Sequence, residues 1–333
     1  MKSVALGFSG GVDSAVCAVL LKRAGYDVLG IYLDNSDEAS RSIALSAAEF
    51  IGIPLEIKDV HKELEEKVCL EFERSYMRGE TPNPCIICNP LVKFKNLLEY
   101  GTDYIATGHY AKAFEGSIYK GHPENDQSYM LCRLTPLQAS RLLLPLGAYP
   151  KSDVRKMAED FSLPVASRPD SMEICFIPEN NYSAWLTERL GSEKSFGGNF
   201  ILHGEVVGQH SGFFRYTVGQ RIPGLFNGRK AYVSKINPQS GVIELALWEE
   251  LFKTEVFAAD FNYLCSMPAE FEASVKVRHT KWENPKCRVY KQGSCVKIVC
   301  EEPVRAPAAG QSAVLYEDDK LIGGGFISSA CLF

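Results

Sequence analysis

Two groups of residues in this chain have types and spacings that can do chemistry. The first is Ser9-Gly10-Gly11-Val12-Asp13-Ser14, set between a short apolar run, Ser3 to Phe8, and a helical pattern from Val12 to Lys22. A glycine-rich turn that opens a helix presents backbone N–H groups under the positive end of the helix dipole, which makes an anion cradle. The glycines admit phosphates to the backbone, and Ser9 and Ser14 add hydroxyls. No Gly-Lys-Ser/Thr is present, so this is not the lysine-bearing P-loop, and the glycine spacing is not that of the dinucleotide fingerprint. Asp13 inside an anion cradle makes sense if a Mg²⁺ ion accompanies the phosphates. The second group is Cys85-Ile86-Ile87-Cys88, behind the Pro-rich Thr81 to Pro84. Paired thiols can carry and resolve a sulfur atom. A C-x-x-C pair with a third thiolate could instead hold zinc or an iron–sulfur cluster with an open fourth position.

The elements that must position these groups alternate. Strands are expected at Ser3 to Phe8, Asp27 to Leu33, Leu55 to Ile57 and Asp103 to Thr107. Helices are expected at Val12 to Lys22, Ala39 to Ile51, His61 to Arg78 and Lys93 to Tyr100. The His61 helix carries Leu64, Val68, Phe72 and Tyr76 at four-residue steps. Such alternation predicts βαβ units and a parallel sheet covered on both faces. The Pro-rich and polar flanks set Cys88 and Cys175 near loops. Beyond about Gly191 glycines become dense and helical periods fade. From Phe271 apolar and polar residues alternate, as in a half-buried strand, so an all-β terminal barrel is expected. The reading is an α/β chain of three units: a parallel-sheet, Rossmann-like domain over 1–192, a small β-rich domain over 193–252 and a C-terminal β-barrel over 253–333.

At 333 residues, with 46% hydrophobic and 23% charged residues, the chain has the composition of a soluble protein of two or three domains. No uncharged apolar run is long enough to span a membrane. The start, MKSVALGFSGGVDS, is not a signal peptide. A cytosolic protein is therefore expected, whose eleven cysteines are not a disulfide framework. Cys17, Cys69 and Cys132 lie in apolar contexts and read as core residues, as do Cys265, Cys287, Cys295, Cys300 and Cys331 of the β region. The net charge of −5 argues against wholesale nucleic-acid binding, but it is segregated. Ser274 to Cys300 holds seven basic residues against Glu283, a sum of +6; Gly30 to Glu80 holds twelve acidic and six basic, a sum of −6. The basic stretch (Lys276, Arg278, Lys281, Lys286, Arg288, Lys291 and Lys297, with His279, Trp282 and Tyr290 among them) suggests a phosphate-binding face with stacking side chains.

SGGVDS after a strand resembles the signature of the PP-loop ATP pyrophosphatases, which cleave ATP between its α and β phosphates. Taken with TPNPCIICN, VKFK, DYIATGHY, DQSY, the Asp170 to Ile177 segment DSMEICFI, and YTVGQR, the chain resembles the tRNA-specific 2-thiouridylases over nearly its whole length and in the expected order. The resemblance implies ATP-dependent replacement of the 2-oxygen of the wobble uridine by sulfur. It marks Cys88 as a nucleophile and Cys175 as the persulfide carrier. It assigns ATP contacts to Gly7, Phe8, Ser9, Gly10, Gly11, Val12, Asp13, Ser14, Leu33 and Gly108. It assigns the target base to Asn83, Pro84 and Cys85, and further tRNA contacts to His109, Asn125, Asp126, Gln127, Arg278, His279 and Gln311. It implies ATP and Mg²⁺ as cofactors, and tRNA and a sulfur donor (a cysteine desulfurase or a relay protein) as partners. One departure stands out: many members of that family carry an aspartate where this chain has Cys85. The change removes a candidate acid–base group and leaves Cys85, Cys88 and Cys175 as candidate ligands of an iron–sulfur cluster.

Overall fold

The computed structural model describes residues 1–35, 38–169, 174–191, 196–224, 228–279, 284–328 and 331. Strands and helices alternate at the start: β1 (Ser3–Gly7), α1 (Val12–Arg23), β2 (Asp27–Asp34), α2 (Glu38–Ile51) and β3 (Leu55–Asp59). β4 (Tyr104–Ala106), the hairpin of β5 (Ala111–Phe114) and β6 (Ser117–Lys120), and β7 (Leu142–Leu143) follow. A five-stranded sheet forms in the order β3-β2-β1-β4-β7, with every pairing parallel. Val4 and Leu6 face α1 through Ala15 and Val16, while Ala5, Ile31 and Ile105 pack on Phe94 and Leu97. Both faces are covered, as the near-continuous apolar strands require. The strand order reverses between β1 and β4, so the loops after these two strands flank the crevice where open α/β sheets bind ligands.

The expected His61 helix exists with an irregularity. It runs as His61–Leu64, a π turn at Glu65–Cys69, and Leu70–Met77. Leu64, Val68, Phe72 and Tyr76 are all buried. A strict four-residue period drifts by about 40° per step on an α-helix, and the wider π turn takes up part of that drift, keeping the stripe on one face. The cysteine pair differs from expectation. Pro84 starts a short helix, Pro84–Cys88, which passes through a second π turn, Asn89–Lys93, into Phe94–Leu98. Proline at the first helical position gives up only an N–H that would be unpaired there. What reads as a loop in composition is therefore a helix start, with Cys85 and Cys88 on it.

The central unit is a four-stranded sheet of β8 (Gly198–Leu202), β9 (Glu205–His210), β10 (Ala231–Asn237) and β11 (Val242–Leu247), in the order β10-β11-β8-β9. Its core takes in Phe72 and Tyr76 from the first domain, together with Ile177 and Leu186. Full burial of such a side chain contributes roughly 1.5–3 kcal/mol, so this seam is a cohesive one. The last unit is an antiparallel barrel of β12 (Phe252–Tyr263), β13 (Glu270–Lys276), β14 (Lys286–Gln292), β15 (Cys295–Arg305), β16 (Ser312–Glu317) and β17 (Lys320–Ile327). It is closed by the pairing of β12 with β17. As the alternation predicts, Phe271, Val275 and Val277 point into its core. The β5–β6 hairpin also reaches this sheet, with Tyr119 opposite Lys320. Cys295 and Cys331, read from the sequence as core residues, form a disulfide. Among the described residues no helix is long and apolar enough to cross a membrane.

Candidate functional site

β1 delivers the glycine loop to the crevice. Gly10 has φ +73°, and a Cβ there would stand 2.6 Å from the Cα of Ala44, so the turn tolerates only glycine. Gly11 precedes α1 with no side-chain cap, leaving the helix N-terminus to an external acceptor. The Ser9 and Ser14 hydroxyls share a hydrogen bond of 3.2 Å, and Ser14 also donates to the Gly11 carbonyl at 3.1 Å. From β4, Gly108 comes against the same turn: a Cβ on it would lie 3.0 Å from that of Asp13 and 3.3 Å from the Ser14 nitrogen. Gly7 ends β1, and Leu33 lies near the end of β2. The side chains of Phe8 and Val12 are buried in the core, so these two can offer a ligand only backbone. Asp13 is not idle: its Oδ1 accepts from Tyr110 Oη at 2.6 Å and faces Lys151 Nζ at 2.5 Å. Neither partner is suggested by local pattern; Lys151 is 138 residues away in sequence. One carboxylate suits Mg²⁺, which binds through one or two carboxylates plus the substrate's own phosphates, and Asp13 is the residue that would hold it.

The thiols gather beside this crevice. The Asn89 side chain donates to the Met130 carbonyl at 2.8 Å, Gln138 donates to the Pro90 carbonyl at 2.8 Å, and Ile86 is fully buried, which pins the Cys85–Cys88 helix. Cys175 sits in a turn closed by the Ile177 N–H on the Ile174 carbonyl at 2.9 Å. Phe176 is wedged against Phe72 and Trp185, and Asn35, just past β2, donates to the Cys175 carbonyl at 3.2 Å. Residues Asp170 to Glu173 of the same motif lie outside the described residues. All three cysteines are unpaired, with Cys85 and Cys175 exposed and Cys88 partly so. They are reachable by solvent yet crowded by protein. Burial pushes all three thiols up, Cys88 to about 12, and the neighbouring Cys175 and Cys85 add to the rise at Cys88. Lys93 is the cation that favours the thiolate of each. Burial also holds His109 well below its ordinary value; its Nδ1 shares a 2.7 Å hydrogen bond with Thr107, and its ring stacks on Phe94. Lys95 faces Glu63 at 2.5 Å instead. Among the described residues no three Cys, His, Asp or Glu side chains form a ligand set for a metal ion, so the three thiols do not fit a preformed cluster cage.

Lys93→Met is expected to move the pH profile of iodoacetamide alkylation at Cys175 upward and to slow alkylation at pH 8 several-fold, because the cation favouring the thiolate is gone. A profile superimposable on that of the unmodified protein would show that Lys93 acts only as a solvated side chain.

The residues assigned to tRNA by resemblance fall into two sets. Asn83, Pro84 and Cys85 stand at the head of the thiol helix, with the Asn83 amide on Met130 Sδ at 3.4 Å. The others are engaged within the protein. Gln127 bonds both backbone groups of Tyr110, at 2.7 and 3.0 Å. The Asn125 amide reaches the Tyr149 carbonyl at 3.4 Å, and Asp126 takes two backbone N–H groups. His279 donates to the Asp126 carbonyl at 3.0 Å. Arg278 donates to the carbonyls of Val218 and Ala306, bracing the barrel on the central unit. Gln311 donates to the Thr81 carbonyl at 2.8 Å, tying the barrel to the segment that leads into the thiol helix.

The basic stretch also changes meaning. Lys276 faces Asp126, Arg288 faces Glu270 and Glu272, Lys297 faces Glu255, and Lys291 donates to the Met267 carbonyl. Their acidic partners lie outside the Ser274 to Cys300 window, on neighbouring strands or, for Asp126, in the segment between β6 and Ser128, so a linear charge count overstates the field. Lys281, Trp282 and Glu283 lie outside the described residues.

A glycine turn at the switch point of a parallel sheet, opening a helix N-terminus, defines a nucleotide-binding α/β domain. Residues 2–179 match the family model described as the tRNA methyl transferase HUP domain. Residues 184–246 match the tRNA methyl transferase PRC-barrel domain, and 253–327 the aminomethyltransferase beta-barrel domain. Curated relatives span the chain nearly end to end. The tRNA-specific 2-thiouridylase MnmA of Carboxydothermus hydrogenoformans is 38% identical, over 98% of this chain and 97% of its own. MnmA 1 of Clostridium botulinum strain Okra is 36% identical over 98% of each. The chain belongs to the tRNA-specific 2-thiouridylase family. Among solved structures, NMN synthetase from Francisella tularensis is similar at 16% identity and a TM-score of 0.34, over 51% of this chain and 66% of that one.

Proposed function

We propose that this protein is an ATP-dependent tRNA 2-thiouridylase acting on the wobble uridine. The observation that carries the reading is the packing of Cys88 and of Phe176, the neighbour of Cys175, on one apolar cluster with Leu33 near the end of β2. Oxide is a poor leaving group, so the reaction starts by making a better one. The uridine O2 attacks the α-phosphate of ATP, the N3 proton leaves to solvent, and pyrophosphate departs; a Mg²⁺ ion held by Asp13 would balance its charge. A cysteine desulfurase or a sulfur-relay protein has by then charged Cys175 as a persulfide. The terminal sulfur attacks C2 and AMP leaves. The Cys88 thiolate then attacks the Cys175 sulfur, breaking the S–S bond to the base. The products are 2-thiouridine, which regains a proton at N3, and a Cys88–Cys175 disulfide. A dithiol reductant of the cytoplasm resets it. The base must leave its stack to reach these thiols, entering past Asn83, Pro84 and Cys85. Cys85, a thiol that burial pushes up from its ordinary value, does not supply the carboxylate that an aspartate would.

The test supplies tRNA transcript, ATP, Mg²⁺, cysteine and a desulfurase, then digests the RNA for nucleoside mass spectrometry. 2-Thiouridine and tRNA-dependent pyrophosphate are the expected products. Pyrophosphate release indifferent to tRNA, with no thiolated nucleoside, would overturn the reading. Iron and a visible absorption band in anaerobically purified protein, lost on mutating Cys85, would replace the persulfide route with cluster chemistry at the same thiols.

A further inference from the structure

The glycine loop has backbone N–H groups and two hydroxyls but no cation of its own, and it carries a carboxylate. A triphosphate needs more positive charge than one helix N-terminus supplies. The missing cation comes from elsewhere in the chain. Lys151 is the first residue of a ten-residue helix, Lys151–Asp160, whose Val154 and Ala158 pack into the same core as Val12, Ala15 and Val16 of α1. Through that packing the second helix starts beside the first. Lys151 lays its ammonium on Asp13 Oδ1 at 2.5 Å and over the Tyr110 ring at 5.5 Å. The pair is not sealed in the core: the side chains are 25% and 33% exposed, at the mouth of the crevice.

A lysine in the first turn of a helix sits at the wrong end of the dipole. Its position makes sense if the site's visitor is an anion. Two helix N-termini and one ammonium converge there, and Asp13 is the carboxylate that meets them. We propose that Lys151 is the phosphate lysine of this site: on docking of a nucleoside triphosphate its ammonium turns from Asp13 to the β and γ phosphates, leaving Asp13 to the divalent cation that accompanies them. Tyr110 keeps its hydrogen bond to Asp13 and holds the carboxylate in place during the exchange. The structure thus restores from a distant helix the lysine that the loop sequence lacks. This inference rests on the ATP reading above.

Equilibrium binding of ATP, AMP and pyrophosphate to the full chain with Mg²⁺ tests it, using Lys151→Met and Lys151→Arg. AMP keeps the base, the ribose and the α-phosphate, so it reports everything except the proposed contact. Lys151→Met is expected to weaken ATP and pyrophosphate about 10- to 100-fold and to leave AMP within about threefold. Lys151→Arg, which keeps the charge, is expected to recover most of the loss. ATP affinity unchanged in Lys151→Met, or ATP and AMP weakened in parallel, overturns the proposal and leaves the ATP reading standing. An unmodified protein that binds none of the three overturns both. If Lys151→Met does not fold, Lys151→Gln takes its place in the same comparison.

Discussion

Cys175→Ser is expected to lose 2-thiouridine formation by about a thousandfold or more, while a tRNA-dependent burst of pyrophosphate persists. The serine hydroxyl cannot carry a transferable sulfur, but it leaves the Ser9–Ser14 turn untouched, so adenylation and sulfur transfer should separate cleanly. Cys88→Ser should fail differently. Its persulfide still forms at Cys175 and still attacks C2, but the thiol assigned to break the remaining S–S bond is gone. The protein should accumulate as a covalent adduct with tRNA, visible as a shifted band without reductant and released by dithiothreitol as thiolated RNA. The two variants thus order the two cysteines. Wild-type thiolation in Cys175→Ser, or an adduct in that variant instead of in Cys88→Ser, would reverse the assignment. Burial and Lys93 act on the thiols in opposite directions. With Cys88 pushed up to about 12, it rests as the thiol at neutral pH and is protected from casual oxidation. Its nucleophilic form is then needed only when the mixed disulfide stands next to it.

Much of this site is legible in the residues alone. The glycine turn declares itself because its function needs a local run of backbone donors, and a local run leaves a local motif. Cys85 and Cys88 are adjacent in sequence for the same reason. The framework is legible too, since the β1-α1-β2-α2-β3 alternation follows from apolar periodicity. What cannot be read is contact across the chain. Lys151 reaches Asp13 because two helices share one core, and nothing near residue 151 announces it. Asn35 touches the Cys175 carbonyl from 140 residues away. The helix under Cys88 is hidden by prolines that read as a stop until one of them is placed at the first helical position. The charge count errs by geometry: along a strand successive side chains point to opposite faces, and their partners lie on the next strand. Arg288 therefore meets Glu270 and Glu272 on β13, which no window along the chain would join to it.

Asp126→Ala should chiefly destabilise the protein, by about 3–5 kcal/mol, with loss of tRNA affinity following only as far as the fold is lost. The resemblance assigns Asp126 to tRNA, but its carboxylate is spent within the protein. Oδ1 accepts the Gly121 N–H at 2.8 Å and the Ser128 N–H at 3.0 Å. Oδ2 accepts the Ser128 hydroxyl at 3.0 Å and faces Lys276 at 3.7 Å. The Asp126 and Lys276 side chains are 11% and 12% exposed, so the pair is shielded from water. Burial lowers the Lys276 pKa even though Asp126 opposes the shift, which means the ammonium is held there at a cost. Alanine would strand that ammonium and two N–H donors together, and removing one partner of a buried pair costs more than removing both. Lys276→Met in the Asp126→Ala background should accordingly recover a substantial part of the lost stability, and the double-mutant cycle measured by urea denaturation would quantify the coupling. Asp126→Asn keeps an acceptor for the backbone and should fall between. The arrangement has a functional reason. Ser128, anchored by Asp126, shares a hydrogen bond with Tyr316 of the barrel at 3.0 Å, and His279 of the barrel donates to the Asp126 carbonyl at 3.0 Å. One carboxylate therefore fixes the barrel onto the domain that carries the thiols. An Asp126→Ala protein that unfolds at the wild-type urea midpoint yet binds tRNA tenfold more weakly would instead make Asp126 a direct RNA contact.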